Sequence, residues 1–368
     1  MTTTQRQLVY IGTYTQANAD QPNRAESIYI YAFDPSSGNL DLQNIIHDTV
    51  NPSFLTISKD RQHLFAVNEV TEFSGIVGGG ISAFTLDPAS TQASFINAQP
   101  THGTYPCYVT LDSTERWVLV ANYGGGSVTV FPIADDGRLG ESVALIQNQG
   151  HSVNLSRQEA PHAHCVIFDP TQQYTLLADL GIDQIQLFRF DAAHGQLTPH
   201  ASVVSELGAG PRHLEFHPNN RYLYVVNELS ATVGVYDYDA DTGVLKHKQT
   251  ILALPDDYVG PRWAADIHIT RSGQFLYVSN RAHNSIAAFA VDPHDGQLNL
   301  IETVSSGGQT PRNFALDLTE SFLLVANQDS NNLIVFQVDK RSGRLTQTAS
   351  ALSIPSPVCV KVISSLFI

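Results

Sequence analysis

YLYVVN, at Tyr222–Asn227, is one of six segments that share a single pattern, and this repetition carries the prediction of the architecture. Each segment has an aromatic residue or Leu, then apolar residues, then a final Asn or Asp. The six are HLFAVN, WVLVAN, YTLLAD, YLYVVN, FLYVSN and FLLVAN, which end at Asn68, Asn122, Asp179, Asn227, Asn280 and Asn327. They recur at intervals of 47 to 57 residues. Runs that are β-rich and apolar on both faces indicate strands packed between neighbouring sheets.

Each repeat surrounds this segment with three further strand-like stretches. Upstream, a proline such as Pro211 precedes an apolar stretch, and downstream follows an alternating strand such as TVGVYDYD. A DxxxG turn comes next, as in residues 239–243, and a last strand begins with Leu. The glycine supplies a positive φ and the aspartate caps the turn. Four strands per unit without helical periodicity predict the blade of a β-propeller.

The two ends of the chain supply one more blade between them. Pro357 precedes VCVKVI, a first strand with no second strand after it, whereas LVYIGTY at residues 8–14 is a second strand without a first. We therefore predict an all-β, seven-bladed propeller of four antiparallel strands per blade, closed by the terminal strands in one composite blade. A single domain of residues 1–368 follows, because repeats bury their apolar faces against one another. The competing interpretation is a β-sandwich followed by a second β domain.

The amino-acid composition limits the classes of binding partner and the cellular location that can be expected. The net charge of −15, from 35 acidic and 20 basic residues, disfavours nucleic acid and anionic membranes as partners. The three cysteines are odd in number and lack metal-type spacing, which favours a reduced protein over a disulfide framework. The N-terminal apolar run is too short for a signal peptide, and no stretch is long enough for a membrane helix. These features predict a cytoplasmic location.

One mouth of the predicted ring is marked by polar residues at two positions of the repeat. In an antiparallel blade, the start of the first strand lies beside the end of the second. Fifteen positions before the repeated Asn or Asp stand Ser53, Cys107, His164, Arg212, Ala265 and Arg312. One position after it stand Glu69, Tyr123, Leu180, Glu228, Arg281 and Gln328. Long connecting segments, such as residues 147–160, fall on the same mouth, where ligand sites commonly form.

This mouth gathers cationic and imidazole groups in a protein with only 20 Lys and Arg residues. His162, His213 and Arg262 stand beside the positions just described. A cationic well in an acidic body suits a small anionic substrate.

Several residues of the mouth have alternative interpretations. His162 and His164 could form half of a metal site, with Asp179 or Glu228 as a further ligand, although a site without metal is favoured. Arg212 could form a structural salt bridge with Glu228. Asp179 could be a turn aspartate. Cys107 is interpreted as a buried thiol, because no basic partner is near it in sequence.

The stretches PHAH, DLGID, GAGPRHLEFHP and YLYVVNELSATVGVY resemble the seven-bladed propeller lactonases across almost the whole chain. That family includes the propeller type of bacterial 6-phosphogluconolactonase and the fungal 3-carboxy-cis,cis-muconate lactonizing enzyme. The resemblance implies lactone chemistry without metal or other cofactor. It places the catalytic His, Arg and Glu of the family on His164, Arg212 and Glu228.

The leading hypothesis is therefore hydrolysis of 6-phospho-D-glucono-1,5-lactone to 6-phosphogluconate in the oxidative pentose phosphate route. Either Glu228 or His164 would deprotonate water, and Arg212 would stabilise the oxyanion or hold the anion. The expected substrate-binding residues are His162, His213, Arg262, Arg281, Glu69 and Asp179. The alternatives are a muconate-type lactonizing cycloisomerase and a non-catalytic propeller scaffold. The natural lactone, the identity of the base and the choice between monomer and homodimer stay open.

Overall fold

The computed structural model describes residues 6–16, 25–47, 49–87 and 90–365. Within these ranges the regular secondary structure consists of β-strands. The strands form seven four-stranded antiparallel sheets, the blades of a ring, together with a small hairpin of Glu72–Phe73 and Ile76–Val77. The seven-bladed β-propeller is thereby confirmed. No helix in the described ranges could span a membrane.

Six blades are continuous in sequence and hold their four strands in chain order. They are numbered 2 to 7 in chain order. Blade 2 consists of Leu55–Ile57, His63–Asn68, Gly80–Leu86 and Ala93–Pro100; blade 3 of Pro106–Leu111, Trp117–Asn122, Ser127–Pro132 and Ala144–Gln147; and blade 4 of Ala163–Phe168, Tyr174–Asp179, Gln184–Asp191 and Gln196–Val204. Blade 5 consists of Pro211–Phe216, Tyr222–Asn227, Thr232–Asp239 and Val244–Leu252; blade 6 of Ala264–Ile269, Phe275–Asn280, Ser285–Val291 and Leu298–Ser305; and blade 7 of Pro311–Leu316, Phe322–Asn327, Asn332–Val338 and Leu345–Ser353.

Blade 1 is the composite blade that the orphan strands predict. Its strands, in blade order, are Pro357–Ser364, Gln7–Thr13, Ile28–Asp34 and Asn39–Ile46. The C-terminal strand pairs antiparallel with the N-terminal one from Gln7↔Ser364 to Thr13↔Pro357. Gln7 also joins this blade to blade 7, because its Nε2 donates to Asp317 Oδ2 at 2.8 Å and its Oε1 accepts from Leu318 N.

Contacts between blades explain why the turn glycine and the aromatic residue recur together. The glycine of a DxxxG turn lies against the residue that begins the second strand of the preceding blade. A Cβ on Gly195 would stand 2.4 Å from the ring of Trp117, and one on Gly243 would stand 2.7 Å from Tyr174. Both glycines also have positive φ, at 67° and 66°. A side chain at these turns would therefore strain the backbone and separate the blades.

The first strands line the channel, and most carry a β-bulge at the mouth. In blade 5 the pairing changes from Pro211↔Asn227 to His213↔Val226, so that Arg212 is the extra residue. The same shift occurs at Cys107, His164 and Arg312 in blades 3, 4 and 7. Bulges re-aim side chains beside functional sites. The position fifteen residues before the repeated Asn or Asp is thus the bulged one in four blades.

Candidate active site

The centre of the mouth is the carboxylate of Glu228, which three arginines surround. Its Oε1 lies 2.5 Å from Arg157 Nη2, and its Oε2 lies 3.1 Å from Arg212 Nε and 2.7 Å from Arg281 Nη2. Glu228 and Arg212 are each 2% exposed. The salt bridge between Arg212 and Glu228 that the sequence analysis held open is present, and it belongs to a larger cluster of charges.

This clustering determines the charge states. Burial alone would raise the pKa of Glu228, but Arg281, Arg212 and Arg157 outweigh burial and lower that pKa to about 2. Burial, with the neighbouring Arg281 and Arg312, lowers the pKa of Arg212 to about 10. Both groups are therefore charged at neutral pH. A carboxylate of such low basicity, with both oxygens engaged, is a poor proton acceptor.

Arg157 is a residue of the candidate site that the sequence analysis missed. It lies on the connection of residues 147–160, where counting from the repeated Asn or Asp does not predict positions. The one available signal was that Arg157 is the only Lys or Arg in this connection. Its Nη2 also donates to Tyr123 Oη at 3.3 Å. The connection is anchored by the DLGID aspartates: Asn148 Nδ2 donates to Asp179 Oδ2 at 2.6 Å, and Ser152 Oγ donates to Asp183 Oδ2 at 2.5 Å.

His164 adjoins this cluster and has a free ring nitrogen. Its ring packs edge-on against Tyr123 and His213, with centroids 5.5 and 5.2 Å apart. Its Nδ1 lies 3.7 Å from Cys107 Sγ. Nε2 makes no hydrogen bond within the described ranges. Burial, followed by Arg212, His213, Arg312 and Arg281, holds the pKa of His164 well below its usual value, so that the imidazole is neutral.

Cys107 therefore lies beside a basic side chain, that of His164. The sequence did not indicate this contact because His164 follows Cys107 by 57 residues and belongs to the next blade. The thiol nevertheless donates to the backbone oxygen of His164 at 3.3 Å. Burial raises the pKa of Cys107 well above its usual value. The sulfur thus stays protonated. Because its hydrogen is directed at the backbone oxygen, the sulfur can only accept a hydrogen bond from His164 Nδ1–H, which orients the imidazole. With Nδ1 protonated, Nε2 carries the lone pair.

A second group of charges lies on the side of blades 1, 2 and 7. Glu69 Oε1 accepts from Tyr14 Oη at 2.9 Å and lies 3.9 Å from Arg312 Nη2. Glu69 Oε2 is buried and has no hydrogen-bond partner in the described part of the chain. Arg312 also stacks over the ring of Tyr14, at 5.4 Å. The four guanidinium groups of Arg157, Arg212, Arg281 and Arg312 outnumber by two the carboxylates of Glu69 and Glu228 with which they pair.

Two further predicted binding residues, His162 and Asp179, contact the loops of the mouth. His162 donates from Nδ1 to Tyr123 O at 3.0 Å, and its Nε2 lies 3.3 Å from Glu159 Oε1. Asp179 accepts three hydrogen bonds, from Asn148, the His162 amide and the Gly181 amide, which makes it an anchor of the loops.

Arg262 is exposed on the connection before blade 6 and forms no ion pair among the described residues. The backbone oxygen of its neighbour Trp263 accepts a hydrogen bond from the backbone amide of Arg281 at 2.6 Å, so the connection borders the mouth.

His213 is fully engaged below the mouth. Its Nε2 lies 3.1 Å from Arg212 Nη1, and its Nδ1 lies 2.7 Å from Asp266 Oδ1. Burial, together with the nearby Arg212, lowers the pKa of His213 to about 4. The ring therefore has no nitrogen left for a substrate, and its partner Asp266 is a second residue that the sequence analysis did not single out.

The suggested metal site was a combination of His162, His164 and a carboxylate. Among the described residues, no group of three or more His, Cys, Asp or Glu side chains is arranged to hold a metal ion. Both carboxylates considered, Asp179 and Glu228, have their oxygens engaged by other groups.

Comparison with known proteins identifies the family. Residues 8–362 match the family model described as "Lactonase, 7-bladed beta-propeller". The chain is 37% identical to 6-phosphogluconolactonase of Bacillus subtilis (strain 168), over 96% of this chain and 97% of that one.

Two solved structures are similar over nearly the whole chain. A putative 6-phosphogluconolactonase from Bacteroides fragilis has a TM-score of 0.90 at 32% identity, covering 99% of each chain. A periplasmic gluconolactonase from Pseudomonas aeruginosa has a TM-score of 0.90 at 33% identity, covering 98% of this chain and 99% of that one. These matches set aside the non-catalytic scaffold, and the chain belongs to the seven-bladed β-propeller lactonase family of enzymes.

Proposed function

We propose that this protein hydrolyses a phosphorylated sugar lactone, 6-phospho-D-glucono-1,5-lactone, to 6-phosphogluconate. The observation that carries the proposal is a cluster in which four arginines pair with only two carboxylates, beside a neutral histidine that has a free Nε2. Such an excess of guanidinium groups suits a phosphate monoester dianion. The names of the similar proteins support a lactone of the gluconate type.

In the proposed reaction His164 is the general base. Water attacks the lactone carbonyl carbon while Nε2 takes its proton. The ring C–O bond of the tetrahedral intermediate then breaks, and the imidazolium returns the proton to the departing ring oxygen. Burial, together with the surrounding arginines, lowers the pKa of His164 and makes it a weak base in the free enzyme. A bound dianion counteracts them and raises its basicity.

Arg212 stabilises the oxyanion in this mechanism. Its Nε is held by Glu228, and its Nη1 donates to Ala265 O at 2.6 Å. Its Nη2 forms no hydrogen bond among the residues described and is free for a ligand. A preorganised charged donor of this kind stabilises the developing negative charge more than it stabilises the neutral carbonyl. Glu228 fixes the three arginines and leaves the base function to His164.

The phosphate belongs at the solvent side of the same cluster. The side chains of Arg157 and Arg281 are 33% and 15% exposed, whereas that of Arg212 is 3% exposed. We therefore assign the phosphate to Arg157 and Arg281. Arg262 is exposed nearby and contributes long-range attraction.

The direct test is proton release from freshly prepared 6-phosphoglucono-1,5-lactone mixed with purified protein, measured against the spontaneous rate. Glucono-1,5-lactone provides the unphosphorylated comparison. We expect faster hydrolysis of both and a higher kcat/KM for the phosphorylated lactone, unchanged by a chelator. A rate equal to the spontaneous one would refute lactone hydrolysis, and equal kcat/KM values would refute the phosphate assignment.

A muconate-type cycloisomerase is the second candidate, because it also needs a cationic well. Glu69 argues against it. Its side chain is 14% exposed, and one of its oxygens has no partner among the described residues. Such a carboxylate can accept a hydrogen bond from a sugar hydroxyl, but it repels the second carboxylate of a muconate. An ultraviolet assay with cis,cis-muconates distinguishes the two reactions.

Glu69→Gln is expected to raise KM for the sugar lactone about tenfold or more with little change in kcat. The reason is that a hydrogen bond to a charged acceptor contributes roughly 1.5–3 kcal/mol, and here the substrate would make it before and during the reaction. Steady-state kinetics measure the change. Tyr14→Phe is the matched control, since it removes the donor to Oε1 and leaves Oε2 unchanged. Better turnover of muconates than of sugar lactones by wild type would favour the cycloisomerase.

A further inference from the structure

A buried chain of hydrogen bonds leads from the mouth into the channel: Arg212 Nη1 to His213 Nε2, and His213 Nδ1 to Asp266 Oδ1. We propose that Asp266 is a positioning residue, which fixes the tautomer of His213 and through it the direction of the Arg212 guanidinium. This inference rests on the proposed role of Arg212 at the reacting carbonyl.

Asp266 is itself rigidly held. It is 2% exposed. Its Oδ2 accepts from Asn313 Nδ2 at 2.5 Å, from Phe314 N at 3.2 Å and from His268 Nε2 at 3.0 Å. Oδ1 is left for His213 alone. The two oxygens thus serve opposite sides, one fixed by blades 6 and 7 and the other facing blade 5.

The charge state of Asp266 decides the tautomer of His213. Burial would raise the pKa of Asp266, but His268 and His213 outweigh burial and hold it well below its usual value. An ionised carboxylate only accepts hydrogen bonds. His213 Nδ1 must therefore carry the proton, and Nε2 of the neutral ring must carry the lone pair that faces Arg212.

This lone pair completes the fixation of Arg212. The guanidinium donates from Nε to Glu228, and from Nη1 to both Ala265 O and His213 Nε2. Three acceptors on two nitrogens define the plane of the group and leave Nη2 as the remaining donor. With the opposite tautomer, Nε2–H would face Nη1–H, donor against donor, and the guanidinium would have to turn away.

Asp266→Asn should produce that opposite tautomer. The three donors at the Oδ2 position require the amide oxygen of the new side chain, so its NH2 group takes the Oδ1 position. An NH2 group donates to His213 Nδ1, which drives the ring proton to Nε2. The substitution preserves size and removes only the acceptor that selects the tautomer.

The experiment combines a spectroscopic measurement with kinetics. Long-range proton–nitrogen NMR correlations of histidine-labelled protein, with His213 assigned by comparison with His213→Gln, report which ring nitrogen is protonated. We expect Nδ1–H in wild type and Nε2–H in Asp266→Asn. We also expect kcat to fall about 10- to 100-fold, less than the roughly 100- to 1,000-fold typical of deleting an oxyanion donor, with KM changed less than kcat.

Asp112→Asn is the matched control, because Asp112 is also buried but accepts from the Trp117 and Thr114 amides. It should keep both the His213 tautomer and kcat. In a His213→Gln background, Asp266→Asn should cause little further loss of kcat. A full additional loss there, or an unchanged kcat in the single variant, would show that Asp266 does not act through His213.

The tautomer measurement separates this inference from the proposed function. Should Asp266→Asn fail to fold, wild type alone decides, because Nε2–H on its His213 would overturn the proposal and Nδ1–H would support it. Should the protein hydrolyse no lactone, the proposed function fails. The NMR comparison of wild type with Asp266→Asn would then still show whether Asp266 sets the tautomer.

Discussion

His164→Gln should lower kcat/KM for lactone hydrolysis by about 100- to 10,000-fold, the usual contribution of a general base. Glutamine keeps an amide in the pocket but cannot take a proton from water at neutral pH. His164 is 4% exposed, and within the described ranges its ring has one hydrogen-bonding neighbour, the Cys107 sulfur. Its replacement should therefore change the melting temperature little. Initial rates of proton release and thermal unfolding of the same sample measure both effects.

The pH profile of wild type tests the same role. Because burial and the surrounding arginines hold the pKa of His164 well below 6.5, the neutral base is present throughout the neutral range. The rate kcat/KM should thus stay level as pH falls from 8 to 6, and decline only at lower pH. His247→Gln, at an exposed histidine that bonds Thr250, is the control for the substitution. A decline centred near pH 6.5, or a His164→Gln rate within tenfold of wild type, would remove His164 as the base.

The fold could be predicted from sequence because its signals are local and repeated. Each blade is contiguous except the composite one, and the orphan strand LVYIGTY at one end identifies the missing partner VCVKVI at the other. The contact between Gly195 and Trp117 shows why the DxxxG turn and the strand-opening aromatic recur together. Both are parts of one interface between neighbouring blades.

The site was predictable where the strands set the register. His164, Arg212 and Glu228 are brought together, because counting from the repeated Asn or Asp locates the bulges and the strand ends. Arg262 was also expected beside the mouth, but the first strand of blade 6 begins only at Ala264, which pairs with Asn280. Arg262 therefore lies on the exposed connection before this strand.

The remaining site residues depend on contacts between distant parts of the chain. Arg157 reaches Glu228 across 71 residues from an irregular loop. Asp266 meets His213 across 53 residues and lies one position beyond the place that the repeat count indicates. No periodicity encodes these contacts, because loop conformation and the packing of adjacent blades create them.

Replacing Glu228 by glutamine should destabilise the folded protein by about 3 kcal/mol at pH 7. Its pKa of about 2 lies below the usual value near 4.5, and this difference corresponds to about 3 kcal/mol of stability from the ionised group. Removing one partner of a buried charge cluster typically costs 3–5 kcal/mol. Denaturant unfolding of wild type and Glu228→Gln measures the difference.

The sign of the pH dependence makes this prediction specific. A carboxyl whose pKa is lowered by folding stabilises the protein above its unfolded pKa, near 4.5, and loses this effect as pH falls toward 2. The difference in the free energy of unfolding between wild type and Glu228→Gln should therefore be constant from pH 7 to 5 and fall to less than half of that value by pH 3. Glu302→Gln, in the more exposed pair with Arg344, should cost under about 1 kcal/mol. A difference independent of pH would assign the loss to packing.

Anion binding distinguishes a loss of charge balance from a general loosening of the mouth. Without the Glu228 carboxylate, the guanidinium groups of Arg157, Arg212 and Arg281 face one another with no anion between them. Inorganic phosphate can bind to these guanidinium groups beside the glutamine and supply the missing negative charge, and a ligand that binds only the folded state raises its stability. Phosphate should therefore raise the melting temperature of Glu228→Gln more than that of wild type. An equal response would mean that the three arginines do not act on Glu228 as one charged cluster.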